Sequence, residues 1–328
     1  MRPLSGAILI AGLAGCILPN ARPLTRYEFT ERHMSTPCEI KLYAPSQEDA
    51  SQAASQAYAE IAAIDTAMND WKAESEISRL GGTPGRDIPV SSRLFEVLEA
   101  SIHFSRLSEG AFDITVGPVV KLWRRAKEEK KLPSPEDLRR ALQTVGYRHL
   151  SLDPAKRTAR LDVEGMSLDV GGIAKGYACD RALCVLARHG ITRALVNTGG
   201  GMAFGDPPPG EKGWRIGLAD TDEVLLLSRC GVATSGDWER YVDIDGKRYS
   251  HIVDPKTGLG LTNRALVTVV APTGIAADAL TKCVMIPGPD RGIRLAEGLP
   301  ATQAWMRWED AGRERIVQTA GFPALLLR

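Results

Sequence analysis

The sequence is poor in aromatic residues, 6% of 328, and carries no excess of charge of either sign, its formal net charge at pH 7 being +1. A chain so balanced exerts no long-range pull on nucleic acid or on an anionic membrane surface. Its most charge-dense stretch, "RRAKEEKK" from Arg124 to Lys131, mixes signs and reads as a solvated helical face. No nucleic-acid partner is expected. The six cysteines form no CxxC pair and no metal-ligand spacing. Beyond Cys16 they number five (Cys38, Cys179, Cys184, Cys230 and Cys283), so at least one is unpaired within a monomer. Most lie among apolar residues and read as small core side chains. There is no GxGxxG and no P-loop, which removes a nucleotide reading by motif. Ser235 and His251 invite a serine-hydrolase reading, but the chain has no GxSxG elbow. After the first residues no apolar run is long enough to span a bilayer.

The N-terminus, "MRPLSGAILIAGLAGC", is different. Arg2 precedes an apolar stretch from Leu4 to Leu13 that is too short for a membrane helix and fits a secretory signal core. It ends in Leu13-Ala14-Gly15-Cys16, which resembles a bacterial lipobox. Residues 1–16 are therefore expected to be a signal peptide with a lipidated Cys16, the plainer alternatives being a secretory signal cleaved nearby or merely an apolar N-terminus, and residues 27–328 the working domain. The expected product is an exported lipoprotein, held by a lipid anchor at the periplasmic face of a bacterial membrane.

Periodicity sorts the rest into mixed elements. "PCEIKLYA" alternates Cys38, Ile40 and Leu42 with polar neighbours, as a half-buried strand does. Ser46, followed by acids, caps a helix to about Met68. "SSRLFEVLEASIHFSRLSEG" places Leu94, Val97, Leu98 and Ile102 at helical spacing and stops at Gly110. Ser134-Pro135 opens a helix that Gly146 closes. "TARLDVEGMSLDVGG" reads as two strands joined by a turn, followed by a helix from about Gly172 to His189. "ALVNTGGG" is a buried strand entering a glycine loop. Asp245-Gly246 marks the turn of a hairpin in "ERYVDIDGKRYSHIVDP". "ALVTVVA" is a strand, Ile275 to about Met285 a helix, and "ATQAWMRWED…RERIVQT" a closing hairpin. Helices mixed with antiparallel hairpins predict an α+β fold of mixed sheets with packed helices.

Four segments could carry chemistry. In "LDVGGIAKGYACD" two glycines turn the chain after Asp169 and a helix begins, so its backbone N–H groups suit a phosphate, with Lys175 one turn further on. Read alone, this is an ordinary strand-to-helix turn. Three glycines in "NTGGGMAFGD" mean close backbone approach, to a packed neighbour or to a ligand. His251 sits at a strand end, where a lone histidine is more often structural. In "ADALTKCVM", Asp278 and Lys282 share one face of a helix. On spacing alone they are a surface ion pair contributing about 0.2–0.5 kcal/mol.

Taken in order, "MSTPCEIKLY", "MNDWKAESEISRL", "GAFDITVGPVVKLW", "LDVGGIAKGYACD", "ALVNTGGG", "VATSGDWERY", "YSHIVDP" and "ADALTK" resemble the ApbE family, the FAD:protein FMN transferases. The resemblance runs from about Met34 to about Gly288, so residues 27–328 are expected to be an ApbE-like flavin transferase domain. It implies that FAD is bound as substrate and that a threonine hydroxyl of an acceptor flavoprotein, a membrane-bound redox subunit, attacks the FMN-side phosphate. AMP leaves and FMN stays as a phosphoester. The same scaffold with water as nucleophile would be an FAD pyrophosphatase, and one without activity a flavin-binding lipoprotein. By resemblance, Met34, Trp71, Ala111, Phe112, Asp113, Asp169, Lys175 and Ile252 contact FAD. His251 serves proton transfer or phosphate contact. Mg²⁺ is held by Asp278 and the Gly172 carbonyl.

Three positions depart from the family pattern. Gly81 replaces the usual Asn, Gly201 an Asn or Asp, and Lys282 the hydroxyl residue that helps to hold Mg²⁺. Thr281 is one residue, about 100°, further round the helix. The resemblance therefore turns Lys282 toward the metal site, where an ammonium has donors and no lone pair. Lys282 joins His251 and Asp278 in the expected catalytic set, either as a fixed positive charge or beside a displaced Mg²⁺.

Overall fold

Cys38, Ile40, Leu42 and Ala44 alternate, fully buried, with more exposed neighbours, and this makes Thr36–Ala44 a strand with one face on the core. The fold around it is given by a computed structural model that describes residues 23–236, 241–310 and 312–327. The lipobox and Cys16 lie outside the described residues. Thr36–Ala44 is the second strand of an eight-stranded sheet. In spatial order the sheet runs Thr25–His33, Thr36–Ala44, Ala194–Asn197, Gly201–Phe204, Cys230–Gly236, Arg264–Ala271, Gln303–Asp310 and Arg313–Gln318. Every neighbouring pair is antiparallel. The fold is α+β, as the mixture of helical and hairpin patterns predicts.

The sheet is covered on both faces. Val196, Ala203, Ala233, Val267, Val269 and Met306 face the helices Gln47–Met68, Ala174–Arg188 and Gly274–Met285. On the other face Leu195, Phe204, Val232, Leu266 and Trp305 are covered by the Trp214–Gly217 and Val224–Leu227 hairpin and by Phe322. Cys38, Cys179 and Cys283 are buried thiols in the helix-side core, whereas Cys184 is exposed; all are free. Among the described residues no helix is long and apolar enough to cross a membrane.

A satellite core sits at one end. The Gly117–Glu129 helix turns Val119, Trp123 and Ala126 onto Ile244 and Tyr249 of the Tyr241–Ile244 and Lys247–Ser250 hairpin and onto Val253 just beyond it. Trp123 donates its indole N–H to the Gly258 carbonyl at 2.7 Å, with the Tyr249 ring at 5.1 Å. The hairpin turn has φ 51° at Asp245 and 74° at Gly246, the left-handed pair that the Asp-Gly signal predicts.

Two expected elements come out differently. The helix opened by Ser134 ends at Leu142, short of Gly146. There Thr144 and Val145 donate to Ala141 and Leu142, i→i+3 bonds that tighten the chain out of the α ladder. The second strand read into "MSLDV" is not formed; Ser167 makes only an isolated bridge to Val116. Thr158–Leu161 pairs instead with Leu150–Asp153, around a turn in which Asp153 accepts the Ala155 and Lys156 amides.

The Ala174–Arg188 and Gly274–Met285 helices meet backbone to backbone. A Cβ on Gly176 would run into the Gly274 carbonyl oxygen, and one on Gly274 would lie 2.6 Å from the Gly176 carbonyl oxygen. Gly231, on the strand beneath, has the same restriction against the Gly274 backbone. A Cβ on Gly201 would lie 3.4 Å from the Gly176 amide nitrogen, so one of the clustered glycines packs against this helix. Gly176→Ala should therefore cost about 3 kcal/mol or more in urea unfolding. Gly217→Ala, where a methyl group meets nothing within 4 Å, should lie within about 0.5 kcal/mol of the parent.

Candidate functional site

The helix crossing fixes the floor of the site. Thr273 caps the Gly274–Met285 helix, and Asp180 on its neighbour accepts the Gly274 and Ile275 amides at 2.7 and 2.8 Å. Burial pushes the Asp180 carboxyl up to about 6. Helical spacing then brings Asp278 and Lys282 to one face. Asp278 is only 5% exposed. Its Oδ2 accepts the Gly176 amide at 3.1 Å and its Oδ1 accepts Lys282 Nζ at 2.6 Å. Nζ also donates to the Asp278 carbonyl at 3.1 Å. The pair is not on the surface, since the Lys282 side chain is 16% exposed. Its stem runs over Gly172, where an added Cβ would lie 3.2 Å from Lys282 Cε and 3.4 Å from the Phe112 ring.

The Asp169–Gly172 turn forms the next wall. The Asp169 amide donates to Ile114, Asp169 Oδ1 accepts the Gly171 amide at 2.8 Å, and Oδ2 accepts from Arg124 at 3.1 Å. Burial, and then the nearby Asp70 charge, push the Asp169 carboxyl above the ordinary carboxylate range. Arg124 offsets this repulsion by binding Asp70 as well, at 2.6 Å, and its guanidinium lies 4.1 Å from the Trp71 ring centroid. Trp71 is 72% exposed at the mouth. The sequence of this turn suits a phosphate on its backbone N–H groups, though read alone it is an ordinary strand-to-helix turn. Four of these N–H groups are instead taken by the protein: Gly171 by Asp169, Ile173 and Ala174 by Val170, Gly176 by Asp278. The nearby positive charge is supplied by Lys175 and Lys282.

Other walls come from Met34, held in a left-handed turn (φ 49°) with its amide on Asp65, and from Ala111 and Phe112. Asp113 lies here too, but its carboxylate is engaged by Thr115 and the Tyr147 amide, and burial pushes its pKa up. Across the opening stand exposed His251 and buried Ile252, whose amide is held by Ser250 Oγ at 3.0 Å. Lys175 Nζ donates to the Gly199 carbonyl at 3.2 Å.

These residues enclose a cavity of about 520 Å³. Of the residues singled out in the sequence, Met34, Trp71, Ala111, Phe112, Asp113, Asp169, Gly172, Lys175, His251, Ile252 and Lys282 line it. Asp278 does not; it lies behind Lys282. Arg124 was missed, because "RRAKEEKK" reads as a solvated face. The signal lay in the turn spacing of Val120, Arg124 and Lys127, which all face the cavity.

A divalent metal at Asp278 needs oxygen donors around it. Here both carboxylate oxygens carry protein donors and the adjacent group is an ammonium. The Thr281 hydroxyl is fully buried, donates to the Asp278 carbonyl and pairs with Ser235 Oγ at 2.7 Å. The residues do not fit a metal there. They do fit an anionic ligand with a flat ring system: the cations Lys175 and Lys282 in the lining, apolar walls at Phe112 and Ile252, and an exposed indole at Trp71.

The model of the ApbE family matches residues 34–306. The FAD:protein FMN transferase of Vibrio cholerae is 30% identical over 297 residues, covering 87% of this chain and 87% of that protein. One from Klebsiella pneumoniae is 32% identical over 276 residues, 81% of this chain and 84% of its own. The solved flavin transferase ApbE from Vibrio cholerae superposes with a TM-score of 0.82 at 26% identity, covering 93% of this chain and all of that one.

Arg124→Leu leaves Asp70 and Asp169 without their shared counter-charge and should cost about 2 kcal/mol at neutral pH. Asp169 already binds its proton more readily in the fold than in the unfolded chain. Without Arg124 that preference grows, so the loss is largest when both carboxylates are ionised and shrinks as pH falls. Urea unfolding of both proteins from neutral to acidic pH measures it; a loss constant with pH contradicts the electrostatic account.

Proposed function

The chain belongs to the ApbE family, and on that premise we propose that it transfers FMN from FAD to a threonine hydroxyl of an acceptor flavoprotein and releases AMP. One observation carries the reading: a single cavity is lined by Lys175 and a largely buried Lys282, by an exposed indole and by an exposed histidine. Trp71, backed by Arg124, offers a face for a ring of FAD. Lys175 and Lys282 meet the pyrophosphate. Phe112, Met34 and Ile252 exclude water from the reacting end.

The acceptor oxygen bonds to the FMN-side phosphorus while the bond from that phosphorus to the bridging oxygen breaks. AMP leaves with the bridging oxygen and its electron pair, and the hydroxyl proton passes to His251. Positioning and charge do most of the work in such a transfer. Asp278, a ligand of the Mg²⁺ that the family resemblance implies, is committed to Gly176 and Lys282.

Incubation with FAD and a membrane fraction, followed by in-gel flavin fluorescence, identifies the acceptor. Mass spectrometry then reads an FMN adduct on threonine, with one AMP released per adduct. His251→Ala should slow adduct formation by roughly 100-fold or more while FAD still binds. AMP release without adduct on any acceptor makes the protein an FAD pyrophosphatase and overturns transfer.

The N-terminal Leu13-Ala14-Gly15-Cys16 supports a lipid anchor, which would set the enzyme beside a membrane-bound redox subunit on the periplasmic face. Cys16→Ser should move the protein from the membrane to the soluble fraction. Unchanged fractionation rejects the anchor and leaves simple export.

A further inference from the structure

We propose that Lys282 is a built-in cation: its ammonium takes the place of a divalent metal at Asp278 and contacts the pyrophosphate of FAD, so that FAD binding and transfer do not need the metal. This deepens the flavin-transfer reading and rests on it.

The geometry favours a functional cation over a helix-stabilising pair. An i,i+4 Asp–Lys pair that only supports its helix belongs on a solvated face, where both ions keep their water. This one is buried, and taking two charges out of water is costly unless each is well compensated. Asp278 is compensated by the Gly176 amide and Lys282, and Lys282 by two contacts to Asp278. An ammonium has three N–H groups, so one remains for a ligand, and Lys282 lines the cavity while Asp278 does not.

The cation is also held still. Its stem lies over the bare Cα of Gly172, beside Phe112, and its head is tied to a carboxylate that the helix crossing itself holds in place. A fixed charge aimed at developing negative charge needs no reorganisation when the bridging oxygen leaves. Two lysines, Lys175 and Lys282, set two positive charges against the two negative charges of a pyrophosphate diester. Lys282 gives up no proton in the step. The bridging oxygen departs on AMP as a phosphate oxygen, already stable as the anion.

The test compares the parent with Lys282→Thr, Lys282→Met and Lys282→Arg, each checked for folding by circular dichroism. FAD affinity is read by flavin fluorescence in EDTA and in excess Mg²⁺, and binding of Mn²⁺ alone by electron paramagnetic resonance. The parent should bind FAD equally in both buffers and hold no Mn²⁺. Lys282→Met should bind FAD at least about tenfold more weakly in both, and Lys282→Arg should recover most of that loss. Lys282→Thr should be weak in EDTA, regain affinity in Mg²⁺ and acquire Mn²⁺ binding. A parent that holds Mn²⁺ and needs metal for FAD as much as Lys282→Thr does overturns the assignment. So does full affinity in a folded Lys282→Met. The parent's two buffers and its Mn²⁺ spectrum decide the matter even if a variant fails to fold. Metal-independent FAD binding without any adduct overturns the transferase reading alone. Metal-dependent binding with adduct formation overturns Lys282 alone.

Discussion

Where the Ala174–Arg188 and Gly274–Met285 helices cross, the chain has no room for a single methyl group, and the site is built on that contact. Close approach lets the Gly176 amide reach across to Asp278. Asp278, held in that way, fixes Lys282, and Lys175 sits one residue before the crossing point. One turn further on, Asp180 grips the start of the second helix. Three glycines on three elements, Gly176, Gly231 and Gly274, are the condition for the arrangement. A packing constraint thus becomes an electrostatic one: it decides where two cations stand.

The cavity is organised by the same logic of compensated charge. Asp70 and Asp169 approach each other closely enough to raise the Asp169 pKa, and Arg124 answers both while bracing Trp71. The satellite core beneath the Tyr241–Ile244 and Lys247–Ser250 hairpin holds the rim that carries His251. Because much of the glycine turn's N–H supply is spent within the protein, the positive charge beside that turn comes from the side chains of Lys175 and Lys282. That is a different solution from a helix N-terminus that cradles an anion with its own amides.

Much of the fold was legible in the sequence because its signals are local. Ser46 caps its helix by accepting the Asp49 amide, and Asp245-Gly246 turns its hairpin. Strand alternation at Cys38, Ile40 and Leu42 marked the core face. What failed depended on partners distant in sequence. Whether "MSLDV" pairs as a strand is decided by Ile114 and Val116, and whether Arg124 is solvated is decided by Asp70, Trp71 and Asp169. The site shows the same division. Spacing placed Asp278 and Lys282 on one face and stopped at a surface ion pair. Only the ordered family blocks moved the pair inside, and only the fold shows that the carboxylate is already fully engaged.

The most direct test of this account is a crystal structure of the protein with FAD bound and no metal added. The account requires the pyrophosphate in the cavity, one of its oxygens within hydrogen-bond distance of Lys282 Nζ, and the flavin end beside His251. FAD bound in the cavity with Lys282 still turned only to Asp278, or FAD bound elsewhere on the protein, contradicts it.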